Sequence, residues 1–435
     1  MNNNKSELEL AHLHEQLRSE SVAGNGLINR RHLLGLGLAG AGSLVAGNVL
    51  AADASGLVIP AWSKTPGREL SGYGSPSRFA AGVTRLAPQP NAISPGTGAS
   101  RTPLHLLQGT LTPNSLHFER HHAGIPDIDP AQHRLVLHGM VRQPLAFSYE
   151  DLLAYPQVSR TYFLECSGNS GANSGPTAAD NSAGGIHGLL SCAEWTGVRL
   201  STLLEEAGVT PEASWITCTG ADAASLGRSV PLNKAMEDVI IALYQNGEPI
   251  RPEQGYPMRL FVPGWEGNVS VKWLTQIKVT DGPANFRDET SRYTELLPDG
   301  RALQFTYSMG VKSVITSPSG QMTLTRRGLH EVTGLAWSGS GAIRRVEISA
   351  DGGRTWADAH IEENQQALTL TRFRLPWLWE GGEAILQSRA TDTAGNVQPA
   401  RAAWVAMYSP ANRYHYNGIQ SWAVSAQGEV KNVYA

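Results

Sequence analysis

Cysteine is almost absent from these 435 residues: there are only Cys166, Cys192 and Cys218. An odd number cannot be fully paired within one chain, and no C-x-x-C or C-x-x-C-H occurs. That excludes a zinc knuckle of the usual spacing and a covalent c-type haem in this chain. Any electron chemistry must therefore hand its electrons to another protein. An excess of positive charge is also missing, since the formal net charge is −3 against 35 Lys and Arg. There is no case for a nucleic-acid surface. The apolar stretch that runs to about Leu50 is broken by glycines and makes a poor membrane span, so no stable membrane anchor is expected.

What is present fits a large packed protein. Hydrophobic residues make up 41% and charged residues 17%, and the length suits two or three domains. Forty-six glycines, 25 prolines and 11 tryptophans suggest loops and strands more than helices.

The N-terminus carries an address. Arg30 and Arg31 precede the Gly/Ala-rich stretch, which ends in Ala-x-Ala at Ala52 and Ala54. A basic pair, a weakly apolar core and a small-residue cleavage site read as a twin-arginine export signal over residues 1–54. Periplasmic localisation, reached in the folded state, is the expectation. Residues 55–100 are rich in Gly, Ser and Pro and read as an extended arm.

Residues 101–300 mix strand and helix signals irregularly, as an α+β domain does. "HRLVLHGMV" (133–141) alternates like a strand, and "SYEDLLAY" (148–155) opens with a Ser cap and acidic first turn. "RLSTLLEEAGV" (199–209) predicts a helix closed by Gly208. From about 301 to 430, strands of similar length alternate with turn clusters such as Asp351-Gly352-Gly353. That rhythm predicts an immunoglobulin-like β-sandwich.

Taken alone, Cys166 in "TYFLECSGNSG" (161–171) could be core filling, a nucleophile or a metal ligand. Small residues follow it, which lets backbone approach something closely. A single thiolate suits a soft transition metal whose other ligands come from an organic cofactor. Cys192 and Cys218 read as buried apolar residues.

The segment "YFLECSGN" resembles the molybdenum-cysteine motif of the sulfite oxidase family. "HFERHHAGIPDIDP" (117–130), "CTGADAASLGRSVPLNKAM" (218–236), "QGYPMRLFVPGWEGNVSVKWLTQIKV" (254–279) and "GLAWSGSGAIRRVEISADGGRTW" with "ATDTAGNVQP" resemble further family segments in the same order. The resemblance covers roughly residues 100 to 425. It implies an α+β molybdopterin-binding domain followed by an immunoglobulin-like dimerisation domain, and one molybdenum held by Cys166. It further implies pterin or phosphate contacts from Phe118, Arg120, His121, His122, Asp222, Gln254, Arg259, Ser270, Val271 and Lys272. Arg120 would also reach the substrate.

Departures from the family narrow the substrate. Sulfite oxidases follow the cysteine with Ala-Gly-Asn-Arg-Arg, whereas Ser170 and Gly171 stand here in place of both arginines. Arg228 is an addition, expected at the substrate pocket. Tyr293 is the nearest candidate for the family's active-site tyrosine. A pocket with fewer guanidiniums suits a less charged sulfur than free sulfite. The pattern is similar to the sulfane dehydrogenase branch of the family. That branch implies protein-bound persulfide on a sulfur-carrier protein as substrate, a c-type cytochrome as electron acceptor, and a homodimer of the molybdenum subunit within a heterotetramer. Periplasmic sulfite dehydrogenase is the alternative; a molybdenum-free scaffold and a sulfoxide reductase are the more distant ones.

Overall fold

The computed structural model describes residues 21–28, 60–87, 95–362 and 366–435. The paired arginines and the apolar stretch read as an export signal lie outside them. Among the described residues no helix is long and apolar enough to cross a membrane.

Two sheets build the first half. One runs in the order Gly227–Pro231, Trp215–Gly220, Leu274–Thr280, Leu135–Gly139, Leu145–Phe147. Its pair Leu274–Thr280 and Leu135–Gly139 is parallel, and its other neighbours are antiparallel. The second runs Glu248–Pro249, Ile240–Gln245, Leu190–Arg199, Gln157–Glu165, with Arg259–Phe261 also on Ile240–Gln245. The helix Tyr149–Leu153 starts in a capping box between Ser148 and Asp151. The helix Leu200–Ala207 buries Leu200, Leu203, Leu204 and Ala207, and ends at Gly208 in the left-handed region. Gly139 ends its strand where a Cβ would lie 2.2 Å from the Val279 carbonyl oxygen.

The second half is a sandwich of two sheets. One contains Lys312–Ser317, Gly328–Trp337 and Thr371–Trp379. The other contains Ile343–Ser349, Ala384–Asp392, Ser421–Val424 and Val430–Val433. Trp337, Trp377, Trp422, Phe373, Val346 and Leu386 fill the space between them. That core continues into the first half through Phe163, Ala183, Ile186 and Cys192. The strand Gln157–Glu165, which leads into Cys166, therefore lies directly against the sandwich.

Candidate active site

The turn after Glu165 is tied down by its own backbone. The Cys166 N–H donates to Leu189 O at 3.0 Å, and Asn169 N–H donates to Cys166 O at 2.8 Å. The Asn169 side chain accepts from Leu189 N–H (3.0 Å) and donates to Glu165 Oε1 (2.9 Å). Gly267 lies flush on this turn, for a Cβ there would be 2.9 Å from the Glu165 carbonyl oxygen. None of these contacts uses the Cys166 sulfur. All three cysteines are free. Cys192 and Cys218 are fully buried, as read from the sequence, and burial pushes the Cys192 thiol up to about 12.

Cys166 lines a cavity together with Phe118, Arg120, His121, His122 and Asp222. Gln254, Arg259, Ser270, Val271 and Lys272 complete the set expected from the sequence. Residues from five separate stretches thus converge. Phe118 to His122 flank the short strand Glu119–His121, and Asp222 sits on the turn after Trp215–Gly220. Gln254 donates to Phe118 O at 2.8 Å, and Arg259 donates to the carbonyls of Gln254 (3.0 Å) and Ser270 (2.8 Å). Lys272 Nζ donates to His121 Nδ1 (2.8 Å) and to the carbonyls of Arg120 and Glu253 (both 3.1 Å).

Arg228 differs from its expectation. It does not line the cavity; it is 1% exposed and donates to Glu266 Oε1 at 2.7 Å. Its guanidinium stands 5.4 Å from the Tyr293 ring centroid. A cation matched by a buried carboxylate is not free to receive an anionic substrate. Tyr293 itself lines the cavity, with its hydroxyl 3.0 Å from His122 Nε2. It takes a left-handed φ of 51°, a region that few bulky side chains adopt.

The two ends of the cavity differ electrostatically. Arg259 is 2% exposed and has no carboxylate partner among the described residues. Burial alone pulls its guanidinium down to about 9. Burial, then the charge of Arg259, holds Lys272 well below its ordinary range. A buried guanidinium beside a half-buried ammonium is costly unless an anion sits on them. At the other end, burial raises the Cys166 thiol while the Gly168 N–H and Arg120 draw it down. Burial and then Arg120 lower His122 to about 4, which leaves it neutral near pH 7.

Several partners of the site had no sequence signal. Asn268 donates to Ser167 Oγ at 3.2 Å, and its buried Oδ1 has no partner. His415, from the C-terminal half, donates its backbone N–H to Ser167 O at 2.8 Å. Its ring lies between Glu295 Oε1 (2.9 Å) and Glu266 Oε2 (3.3 Å). Glu266 and Asn268 stand within a segment the sequence had singled out, whereas Glu295 and His415 do not. Among the described residues no group of three or more His, Cys, Asp or Glu is placed to hold a metal.

His415 makes a pH prediction. Burial lowers its pKa, but Glu266 and Glu295 more than offset this and raise it to about 9. A histidine raised in the folded state contributes its stability fully below the unfolded value of about 6.5, and loses it as pH rises through the folded value. The urea midpoint should therefore fall between about pH 6.5 and 9, and His415→Gln should flatten that slope. Parallel pH curves for the two proteins would remove the assignment.

Comparison with known proteins identifies the family of the chain. Residues 122–286 match the model of the oxidoreductase molybdopterin binding domain, and residues 303–422 that of the Mo-co oxidoreductase dimerisation domain. The chain is 30% identical to mitochondrial sulfite oxidase of Mus musculus over 353 residues, covering 74% of this chain and 64% of that enzyme's length. Against sulfite oxidase of Gallus gallus it is 30% identical over 319 residues, covering 68% and 69%. The crystal structure of the sulfane dehydrogenase SoxCD from Paracoccus pantotrophus superposes with a TM-score of 0.84 at 45% identity, over 87% of this chain and 97% of that one. The chain has an α+β molybdopterin-binding domain and a separate β-rich dimerisation domain, and it belongs to the sulfite oxidase family of molybdopterin oxidoreductases.

Proposed function

We propose that the protein is a periplasmic molybdenum oxidoreductase that oxidises protein-bound sulfane sulfur to the sulfonate level. The observation that carries this reading is the charge distribution of the cavity. Of its three cations, Arg259 and Lys272 lie together, and Arg120 is the one guanidinium left for the substrate. Arg228 is neutralised by Glu266, and Ser170 and Gly171 supply no charge. A persulfide needs less positive charge than a free dianion. The 45% identity to a sulfane dehydrogenase supports the same choice.

The residues present fit molybdopterin. Arg259 and Lys272 would take the terminal phosphate, with Ser270 and Val271 beside them, and Asp222 would accept from the pterin's N–H edge. Phe118, His121 and Gln254 line the path between. Cys166 would be the one protein ligand to molybdenum. Bound there, the group would supply two-electron oxygen transfer from water to sulfur, and three such rounds, releasing six electrons, take the sulfane to the sulfonate level. Arg120 would steady negative charge growing on the sulfur oxygens. Neutral His122 and the Tyr293 hydroxyl would hold a proton position at the cavity wall, with Arg228 setting the tyrosine ring from behind. A c-type cytochrome would accept the electrons, a sulfur-carrier protein would present the substrate, and the sandwich would pair two such subunits within a heterotetramer. The catalytic unit would span residues 101–300 and the sandwich 301–430.

Arg259→Gln removes the cation and keeps much of the shape. Cofactor retention should fall about 10- to 100-fold, the range of a charge-assisted hydrogen bond. Molybdenum and pterin content after gel filtration reads this directly, and unchanged content would refute the phosphate seat.

The function itself is tested by titrating the oxidised enzyme's optical spectrum, separately with sulfite and with a persulfide on a carrier protein. Bleaching by the persulfide with resistance to sulfite is expected. Bleaching at low sulfite would make sulfite dehydrogenase the better description.

A further inference from the structure

Residues 21–28, Ser-Val-Ala-Gly-Asn-Gly-Leu-Ile, are seated on the sandwich domain although they precede Arg30-Arg31 in the chain. They form two short antiparallel strands, Ser21–Ala23 and Leu27–Ile28, and Leu27 pairs with Trp377 at the edge of Thr371–Trp379. Leu27 is 0% and Ile28 1% exposed, and Leu27 joins the sandwich core.

The seat is built for this peptide. Trp377 Nε1 donates to Asn25 O at 2.6 Å, Asn25 Nδ2 donates to Ala350 O at 2.8 Å, and Gly24 N–H donates to Thr355 Oγ1 at 2.7 Å. Gly26 has φ +83°, and a Cβ on it would lie 2.3 Å from the Leu378 carbonyl oxygen. A Cβ on Gly24 would lie 2.3 Å from Asp351 Oδ2. At Gly26 the left-handed φ and the close backbone neighbour together favour glycine, whereas at Gly24 the neighbour is the Asp351 carboxylate.

These contacts come from both sheets. Trp377 and Leu378 belong to Thr371–Trp379, whereas Ala350, Asp351 and Thr355 follow Ile343–Ser349 on the facing sheet. The seat exists only when the two sheets are folded and packed together. Farther along the same edge, His360–Ile361 pairs with Arg374 and Phe373, so the seated peptide covers the part next to it. Without it, Trp377 would sit on an open sheet edge of the kind that recruits another strand.

We propose that this edge is the docking site for the chain's own leader segment, so that the paired arginines are tethered to the sandwich only once it has folded, and that the seat empties when the leader is removed. This rests on reading residues 1–54 as an export leader.

The test is hydrogen exchange on the full-length precursor, its Gly26→Val variant and the processed protein isolated after export. In the precursor, peptides spanning residues 21–28 should exchange at least about 10-fold more slowly than the free peptide. Gly26→Val should abolish that protection and raise exchange around Trp377–Trp379. Exchange in Gly328–Trp337 should stay unchanged, which shows that the sandwich is still folded. The processed protein should match the variant at Trp377–Trp379. Unprotected residues 21–28 in the wild-type precursor would overturn the docking site. An exported chain whose mass still includes residues 21–28 would instead overturn its assignment to a leader. Neither result depends on sulfur oxidation, so the proposed activity stands or falls separately.

Discussion

Cys166→Ser should lower sulfur oxidation by more than about 1,000-fold while leaving the fold intact, since a group that acts as one unit with its cofactor is lost whole. Both halves of that expectation follow from the turn. The hydrogen bonds that hold residues 166–169 run through backbone, through Asn169 and through the Ser167 hydroxyl, and the Cys166 sulfur receives only the Gly168 N–H. Serine fits the same space, so the urea midpoint should hardly move. A hydroxyl, however, is a hard donor that stays protonated at neutral pH, whereas a thiolate is the soft ligand proposed here for the metal. The readouts are turnover, metal content and the visible thiolate-to-metal absorption band. Cys192→Ser and Cys218→Ser are the controls, for both are 0% exposed and lie in cores away from the cavity lining. They should cost stability and spare the band. A Cys166→Ser protein that kept its band and turnover would end the assignment.

Lys312→Met should destabilise the protein by about 3–5 kcal/mol, the usual cost of breaking a buried ion pair by removing one partner. Lys312 is 2% exposed and Glu165 1%, and Lys312 Nζ lies 3.1 Å from Glu165 Oε1 and 2.6 Å from Ser170 Oγ. The carboxylate also receives the Trp337 indole N–H at 2.6 Å and the Asn169 amide at 2.9 Å. Without the lysine, a buried carboxylate keeps neutral donors and loses its counter-charge. The damage should spread beyond stability, because Glu165 and Ser170 bracket the Cys166 turn and Lys312 and Trp337 come from the sandwich. A shifted metal spectroscopic signature in the loaded enzyme is therefore expected together with the lower urea midpoint. The double variant Glu165→Gln with Lys312→Met, which removes both charges, should recover part of the lost stability. A single variant losing less than about 1 kcal/mol would show the pair to be dispensable.

Local signals were the legible ones. The Ser148 cap, the Gly208 stop and the alternation in "HRLVLHGMV" each depend on residues within a few positions, and each appears in the structure. The helix Arg401–Met407 was not read, and its start at Ala400 has no side-chain cap to announce it. The cavity residues were legible for another reason. Cys166, Asp222, Arg259 and Lys272 lie in short segments whose order along the chain resembles a family pattern, so their convergence could be expected without knowing how the chain brings them together.

What the sequence determined by itself was the chemical inventory: one thiol in a Gly/Asn turn, no C-x-x-C-H haem-attachment motif, and few arginines following that thiol. What only the tertiary structure decided was which charges remain available. Arg228 is 38 residues from the Glu266 that neutralises it, and Lys312 is 147 residues from the Glu165 that it balances. A side chain's charge is written in its own identity, but its effect in a buried site depends on the partners that folding carries to within about 3 Å, where burial makes pairing decisive.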